Sequence, residues 1–535
     1  MTGHATPPPF SMPMFRDFVP SKIRPWIYVA FALSFQFSGG LYLGTLNEMM
    51  GQTSLMREDL LMCLYANLAG MAIYFPLLFR MKFRFTNKTL LCTAATGVLF
   101  CNLLAPHVSY LPLLWFVCFI EGMCKIQGTF ECMSNIQLWI TPARDFTVFF
   151  PVLHIIILGS MQLSDFLSAY LMYYYNWNYM QLFISGWMTV NLFVLTICTR
   201  HFRMFKKFPL YGIDWIGGIL WAAFVLETAF LFNYGDFYDW WNSSVIRQLT
   251  AAALLTLCLC IWRMFHTRHA YYEPHMWTYR HLVPILVMIA LVEMLLAAEH
   301  VLEETFFEEV MHYGTTTVTL FDWPALLGSV AGCLFSLWWM HVRRLSYLRL
   351  IAVGLAGIGS YLAVFYFTVS PDIHMSQLYL PIACRGFAYA VLSIAFMTCL
   401  EEIVEFRHFF QALSVFNILH MVVGGVIGAA TYVRGLEYRM TDAACRYAAR
   451  AADTITSDDP AAIGQFLSAS QDVMATDAIK QIYGWAAYVG LTLLLLSLLF
   501  DAPAGRALRS IPAWQKVRKA IFFLPARKSG SKHQA

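Results

Sequence analysis

Residues 281–302 read HLVPILVMIALVEMLLAAEHVL, and this run of apolar side chains decides the class of fold. About 20 consecutive, mostly apolar residues match the length that an α-helix needs to cross the hydrocarbon core of a bilayer. The run is too long for a barrel strand, and a helix satisfies its own backbone hydrogen bonds in lipid. The stretch therefore predicts a membrane-spanning helix, although it also carries Glu293, Glu299 and His300.

Thirteen further apolar runs accompany this one along the chain. The fourteen predicted spans are 26–46, 60–80, 88–106, 110–140, 147–172, 178–199, 212–233, 243–264, 281–302, 320–341, 346–369, 376–400, 409–433 and 482–501. Hydrophobic residues make up 59% of the 535 and charged residues only 13%, about half the charged share of a soluble domain. We therefore expect an all-α polytopic membrane protein surrounded by the lipid bilayer. The small net charge of +4 gives no reason to expect a nucleic-acid partner.

Lysine and arginine are divided unevenly between the two sides of these spans. With the N-terminus in the cytoplasm, 27 of the 36 fall in cytoplasmic segments and seven in outer ones. The other two, Lys125 and Arg385, lie within spans. Cytoplasmic loops of membrane proteins carry such an excess of positive charge. The division predicts an even number of spans, both termini in the cytoplasm, and a multi-pass protein of the inner (cytoplasmic) membrane.

Several short motifs follow one another in a fixed order along the chain. A basic run, RMKFRFTNK at 80–88, separates spans 2 and 3, and span 4 contains KIQG at 125–128. Span 5 is followed by WNYMQLF at 177–183, which we place at its end, and span 13 contains His420 followed by GGVIGAA at 424–430. Together they resemble the major facilitator superfamily, specifically its fourteen-helix drug:proton antiporter branch. In that comparison His420 takes the place of the family's arginine before the glycines, and Lys125 replaces an arginine in span 4.

The resemblance implies a domain organisation for the whole chain. It implies the major facilitator fold, with 14 transmembrane helices arranged as two six-helix halves and an inserted pair between them. The expected segments are a cytoplasmic N-terminal segment 1–25, a first half 26–200, inserted helices 211–266, a second half 275–501 with an extracytoplasmic loop at 434–481, and a basic cytoplasmic tail 502–535. In span 5, Asp165 stands where the family's motif has a proline.

Ionisable side chains inside the spans are the candidate functional residues, because a charge at membrane depth is costly and usually faces a partner or a cavity. The predicted proton-coupling residues are the carboxylates Asp165, Glu121, Glu131 and Glu293. The predicted substrate-binding residues are Lys125, Arg385 and His420, which carry or can gain positive charge. The predicted gating residues are Arg80, Arg84, Arg343 and Arg344 in the basic loops. The alternative for each is a structural pair or a satisfied polar contact.

Four ionisable residues at the outer end of span 9 admit two interpretations. Glu299, His300, Glu303 and Glu304 form a dense acidic group as the span approaches the outer surface. The group could collect cations or protons electrostatically as an acidic vestibule. We favour the simpler interpretation, a solvated helix end.

The resemblance implies a secondary active transporter, a proton-coupled antiporter that exports a small amphipathic or drug-like molecule by alternating access. Uptake or exchange of a small anionic solute is the first alternative, suggested by Lys125, Arg385 and His420. A non-transporting scaffold or a membrane-embedded enzyme is the alternative of another class. No H-E-x-x-H, G-x-S-x-G or phosphate-binding loop occurs, so we expect no enzyme. The expected partners are a small-molecule substrate and protons, with no cofactor or metal; a periplasmic adaptor stays open.

Overall fold

A computed structural model of the chain describes residues 12–38, 49–51, 55–142, 145–202, 210–454 and 460–501. Thirteen helices of this part are long and apolar enough to cross a membrane. Each overlaps one of the spans predicted after the first. The first predicted span is described only over Arg24–Phe37, and the remainder lies outside the described residues. The expected basic tail 502–535 also lies outside them.

The helices follow one another with short connections. In chain order they are α1 Arg24–Phe37, α2 Arg57–Arg84, α3 Asn87–His107, α4 Leu111–Ile140, α5 Phe146–Tyr174, α6 Trp177–Cys198, α7 Trp215–Asn233, α8 Ser244–His266, α9 Leu282–Val310, α10 Thr315–Val342, α11 Tyr347–Thr368, α12 Met375–Ile403, α13 (Phe406–Ile418, π-helical Leu419–Gly428, Ala429–Thr454) and α14 Pro460–Asp501. We refer to α1–α6 as the first half and α9–α14 as the second half.

Polar residues at the start of several helices explain where the helices begin. The side chains of Thr86, Asp145, Asn176, Asp214 and Ser346 each accept a hydrogen bond from a backbone N–H in the first turn. Such caps satisfy donors that have no partner within the helix. They occur where the apolar runs begin, so the chain fixes these boundaries locally.

The predicted extracytoplasmic segment 434–481 is helical over its described residues, in agreement with the helical composition of residues 442–452. Helix α13 continues to Thr454, and α14 begins at Pro460 and runs down into the last span. Arg446 joins the two helices through an ion pair with Asp477 at 3.2 Å. Hydropathy marks where lipid ends, whereas an amphipathic helix continues as long as its apolar face has a neighbour to pack against. The two spans therefore extend beyond the apolar zone as a helical hairpin.

Glycines bring the second and fourth helices of each half into close contact. A Cβ atom at Gly122 of α4 would lie within 3 Å of the Asn67 carbonyl oxygen of α2. In the second half, a Cβ atom at Gly328 of α10 would come equally close to the Ala383 carbonyl oxygen of α12. Small residues at helix crossings allow such approach in membrane proteins. The same contact at equivalent helices supports an internal repeat.

These crossings predict a sharp difference between two glycine-to-alanine substitutions. We expect Gly122→Ala to destabilise the protein by about 1–3 kcal/mol, because the added methyl group forces apart a packed helix pair. Gly359→Ala in α11 is the matched control, since its Cβ would meet nothing within 4 Å in the described part of the chain. Thermal unfolding of the purified proteins in one detergent checks the prediction. Equal unfolding temperatures for the two variants would contradict it.

The halves meet along two edges. On one edge α2 of the first half packs against α13 of the second half, and on the other α5 packs against α10 and α12. The inserted helix α7 contacts both α2 and α13, whereas α8 packs mainly on α7. The space between the halves is therefore bounded by α4 and α5 on one side and α9, α10, α12 and α13 on the other.

Candidate functional site

Arg385 of α12 is held by two carboxylates of α9. Its guanidinium forms an ion pair with Glu299 at 2.9 Å and a second, shorter one with Glu303. Tyr361 of α11 also donates a hydrogen bond to Glu303. A buried guanidinium requires such pairing, because an uncompensated charge in the interior is strongly destabilising. In this conformation the predicted substrate-binding residue Arg385 already has partners of opposite charge.

This pairing corrects the interpretation of the outer end of span 9. Glu303 is 5% exposed, so a solvated helix end is wrong for this residue. Glu304 is different, because its carboxylate is partly exposed and pairs with Arg57 of α2 at 2.7 Å. Helix α9 changes to π-helical geometry at Glu299–Glu303 and again at Phe306–Val310. Single π-turns of this kind often occur at functional sites.

His420 and Glu293 form a second pair, between α13 and α9. The imidazole Nδ1 lies 2.8 Å from the Glu293 carboxylate. Gly424 makes the approach possible, because a Cβ atom there would lie 3.1 Å from the same carboxylate oxygen. His420 lies in the π-helical part of α13, and 38% of its side chain is exposed, against 7% for Glu293. A predicted proton-coupling residue and a predicted substrate-binding residue thus share one contact.

Asp165 of α5 and Asp322 of α10 face each other across the boundary between the halves. The rings of their sequence neighbours, Phe166 and Trp323, have centroids 5.6 Å apart. Asp165 interacts electrostatically with Asp322, Glu299 and Lys125. One oxygen of Asp322 is fully buried and has no hydrogen-bond partner among the described residues.

Asp322 was missed in the sequence analysis. It lies at the third position of the predicted span 320–341, in the sequence Asp322-Trp323-Pro324. The structure begins α10 earlier, at Thr315, so this carboxylate lies two turns inside the helix. A carboxylate inside an assigned span was the signal that could have found it.

Lys125 connects the Asp165 group to α4. Lys125 is 5% exposed and Glu121, one turn earlier on the same helix, is 2% exposed. Lys125 interacts electrostatically with both Glu121 and Asp165. Glu121 also accepts a hydrogen bond from Asn102 of α3 at 2.8 Å. The ammonium therefore lies between a carboxylate of its own helix and one of α5.

Several of these side chains are exposed or partly exposed although they lie deep within the bundle. His300 is exposed, and Asp165, Glu299 and Asp322 are partly exposed. All four interact electrostatically with other charged groups of the interior rather than with the membrane surface. They therefore line an internal space between the halves. We call the residues around it the central cluster: Lys125, Asp165, Glu293, Glu299, His300, Glu303, Asp322, Arg385 and His420.

Glu131 belongs to a separate network at the end of α4 that we predict to be cytoplasmic. Its carboxylate accepts a hydrogen bond from Asn87 at 2.5 Å and lies 3.5 Å from the Lys82 ammonium. Asn87 in turn accepts a hydrogen bond from Tyr28 at 2.7 Å. These contacts join α1, α2, α3 and α4. The proton-coupling role of Glu131 stays a prediction, and the geometry does not bring it to the central cluster.

The halves contact each other at both ends of the central cluster. At the predicted outer end, the Arg57–Glu304 pair is accompanied by a hydrogen bond from Tyr65 to the Gly425 carbonyl at 2.8 Å. At the predicted cytoplasmic end, the Phe79 ring lies 4.4 Å from that of Phe410 between centroids. The internal space is thus bounded by contacts on either side.

The predicted gating residues have different surroundings. Arg80 interacts electrostatically with Glu273 and Arg407, at the edge where the halves meet. Arg84 ends α2. Arg343 stacks on the Trp338 ring at 5.1 Å, and Arg344 is exposed. At that loop it is His341 that reaches the first half, 3.3 Å from Asp145. The gating role therefore stays a prediction, best supported for Arg80.

The arrangement can bind and release protons. Within the described residues, no group of three His, Cys, Asp or Glu side chains has the geometry to hold a metal ion. The central cluster combines five carboxylates with Lys125, Arg385 and two imidazoles. Acidic and imidazole groups that face water between two halves can exchange protons.

Solved structures of transporters share this architecture. A nucleoside transporter, NupG, matches with a TM-score of 0.53 and 14% identity over 89% of this chain and 100% of its own. The peptide transporter POT matches with 0.57 and 13% over 91% and 96%. The human organic anion transporter MFSD10 (TETRAN) matches with 0.53 and 10% over 90% and 100%. No protein-family model matches the chain, and no curated protein matches it by sequence. The predicted major facilitator type of polytopic fold is confirmed.

Proposed function

We propose that the chain is a secondary active transporter of a small solute, working by alternating access around the central cluster. The observation that carries the proposal is that both halves contribute ionisable side chains within the helix bundle to one internal space: Asp165 from the first half and Asp322, Glu293 and His420 from the second. Groups at such a boundary change their surroundings whenever the halves move. The solved structures of similar fold are named as transporters, which supports the same conclusion.

Proton coupling is the finer part of the proposal. Asp165 and Asp322 are like charges on opposite halves, and a proton bound by either removes their repulsion across the closed boundary. The Glu293–His420 contact offers a second proton acceptor within the same space. Loss of these protons favours separation of the halves, whereas their uptake favours closure. The direction of exchange that fits the sequence motifs is antiport.

The charges of the central cluster favour a cationic or neutral amphipathic solute. Arg385 already has Glu299 and Glu303 as partners, and His420 has Glu293. The third predicted substrate-binding residue, Lys125, lies near two carboxylates, Asp165 and Glu121, which neutralise its charge. The first alternative, an anionic solute, keeps some support from the organic anion transporter of similar fold. In that case Lys125 would bind the anion.

Counterflow in proteoliposomes tests the proposal and separates the alternatives. Lipid vesicles that contain the purified full-length protein are loaded with an unlabelled solute. Uptake of a cationic amphipathic dye into them is then compared with uptake of an anionic one. We expect uptake of the cationic dye to exceed uptake into protein-free vesicles by about tenfold or more, because the cluster carries an excess of carboxylates. Faster uptake of the anionic dye would support the alternative, and no protein-dependent uptake of either, across a panel of solutes, would contradict transport.

A further inference from the structure

Helix α7 is fastened to both halves at the predicted outer end. Tyr234, which follows α7, donates a hydrogen bond to Asp59 at the start of α2. The side chain of Asn233 donates to the Glu58 carbonyl at 2.7 Å. Asp236 faces the other half, 3.8 Å from Arg434 of α13. One short segment thus contacts α2 and α13 together.

The connection that follows α8 repeats this pattern at the predicted cytoplasmic end. Tyr271 donates a hydrogen bond to the Ile73 carbonyl of α2. The Tyr272 hydroxyl lies 2.6 Å from that of Ser414 in α13. Ser414 then donates to the Ala72 carbonyl of α2 at 2.6 Å. Tyr272 is 1% exposed, so the connection is buried between the halves rather than lying over them.

The next residue, Glu273, extends the connection along α13. Its carboxylate lies 2.9 Å from the Arg407 guanidinium and 3.1 Å from the His408 imidazole. Arg80 of α2 is close enough to interact with the same carboxylate. Although burial opposes ionisation, the hydrogen bonds from His408 and Arg407 hold the pKa of Glu273 below its ordinary value. The carboxylate is therefore ionised at neutral pH and stays paired with Arg407.

Helices α7 and α8 are joined to each other and to this connection. The guanidinium of Arg263 at the end of α8 lies 2.6 and 2.9 Å from the carboxylate of Asp214, which caps α7. The Trp221 ring of α7 lies 5.1 Å from that of Tyr272, edge to face. A bidentate arginine–carboxylate pair fixes orientation as well as distance. The contacts at the two ends of α7 are thus mechanically linked.

We propose that α7 and residues 271–273 form a strap that fastens α2 to α13 at both ends and stabilises the state in which the halves touch at the predicted cytoplasmic end. A lipid-facing helix pair with no role in the motion would need neither buried tyrosines between the halves nor a serine of α13 that bonds to both Tyr272 and α2. The strap must be loosened whenever that end opens. The inference rests on the proposed alternating access, and it assigns the inserted helices a conformational role.

The test measures opening directly in the full-length protein in nanodiscs. Spin labels are introduced as noncanonical amino acids at His201 and Leu345, both exposed and on opposite halves, because Cys258 and Cys445 are exposed and would react with thiol labels. The variant is Ser414→Ala, which removes two buried hydrogen bonds. Ser360→Ala is the matched control, since that hydroxyl bonds only within its own helix, to Ala356 at 2.8 Å.

For Ser414→Ala we expect the ratio of open to closed distances to rise roughly tenfold, because the bond from Tyr272 of the strap to α13 and the bond from Ser414 to α2 are both lost. Glu273→Gln, outside the membrane-spanning helices, should shift the distances in the same direction by a smaller factor. The control should match the native protein. Unchanged distances in both variants, in protein that still transports, would overturn the strap and leave the proposed function standing. The expected distance shifts in protein that transports no tested solute would support the strap and count against the proposed function.

Discussion

Replacement of Asp165 by asparagine is expected to abolish transport driven by a pH gradient. Asparagine preserves the size and hydrogen-bonding shape of the side chain but cannot bind or release a proton at neutral pH. Exchange of solute without a gradient should persist, because the variant still allows the halves to move. We expect the gradient-driven rate to fall about 100-fold or more, the scale typical of losing a required proton-transfer group. The measurement is dye efflux from proteoliposomes with and without an imposed pH gradient.

Two comparisons make this prediction specific. Asp322→Asn should show the same loss if the two carboxylates act as a pair across the boundary. Glu227→Gln should retain gradient-driven transport, because Glu227 lies in α7, away from the central cluster. Full gradient-driven activity in Asp165→Asn would remove this residue from the proton pathway. Equal losses in all three variants would point to a general effect on folding.

Replacement of Arg385 by methionine is the substitution expected to affect stability most. It leaves Glu299 and Glu303 without their cation, and breaking a buried ion pair by removing one partner costs about 3–5 kcal/mol. We expect a large drop in unfolding temperature and in the yield of folded protein. Arg434→Met, which removes a cation with a 65% exposed side chain, should cost under about 1 kcal/mol.

A second substitution separates structural pairing from substrate binding. Adding Glu303→Gln to Arg385→Met removes one of the stranded charges, so the double variant should recover part of the lost unfolding temperature. An arginine that served only to bind substrate would show no such recovery. If Arg385→Met unfolded at the same temperature as the native protein in the same detergent, the pairing with α9 would contribute little to stability.

The helical spans were predictable because the thickness of a bilayer imposes their length on the sequence. The uneven division of lysine and arginine between the two sides of the spans added an independent constraint on the number of spans. What hydropathy could not show was where a helix ends outside lipid. The stretch 434–481 was predicted to connect the last two spans outside the cytoplasm, with helical composition over 442–452. Its described residues extend α13 and α14, which pack against each other.

The candidate site was predictable only in part. Asp165, Glu293 and Lys125 stand out in any apolar run, so sequence alone finds them. Partners across helices are different: Glu303 lies 82 residues from Arg385, and nothing local to either residue indicates the pairing. Sequence patterns report neighbours one turn apart, such as Glu121 and Lys125. Interactions between the halves, including the electrostatic interaction of Asp165 with Asp322, depend on the three-dimensional packing.

The central claim is that solute movement through this cluster is coupled to protons held by Asp165. The most direct measurement is solute-driven proton movement in proteoliposomes that contain an internal pH-sensitive dye, with an imposed gradient of the cationic dye as the driving force. The account predicts that solute moving in one direction drives protons in the other in the native protein, and that Asp165→Asn moves solute without protons. Solute flux with no proton movement in the native protein, or identical proton movement in the variant, would contradict it.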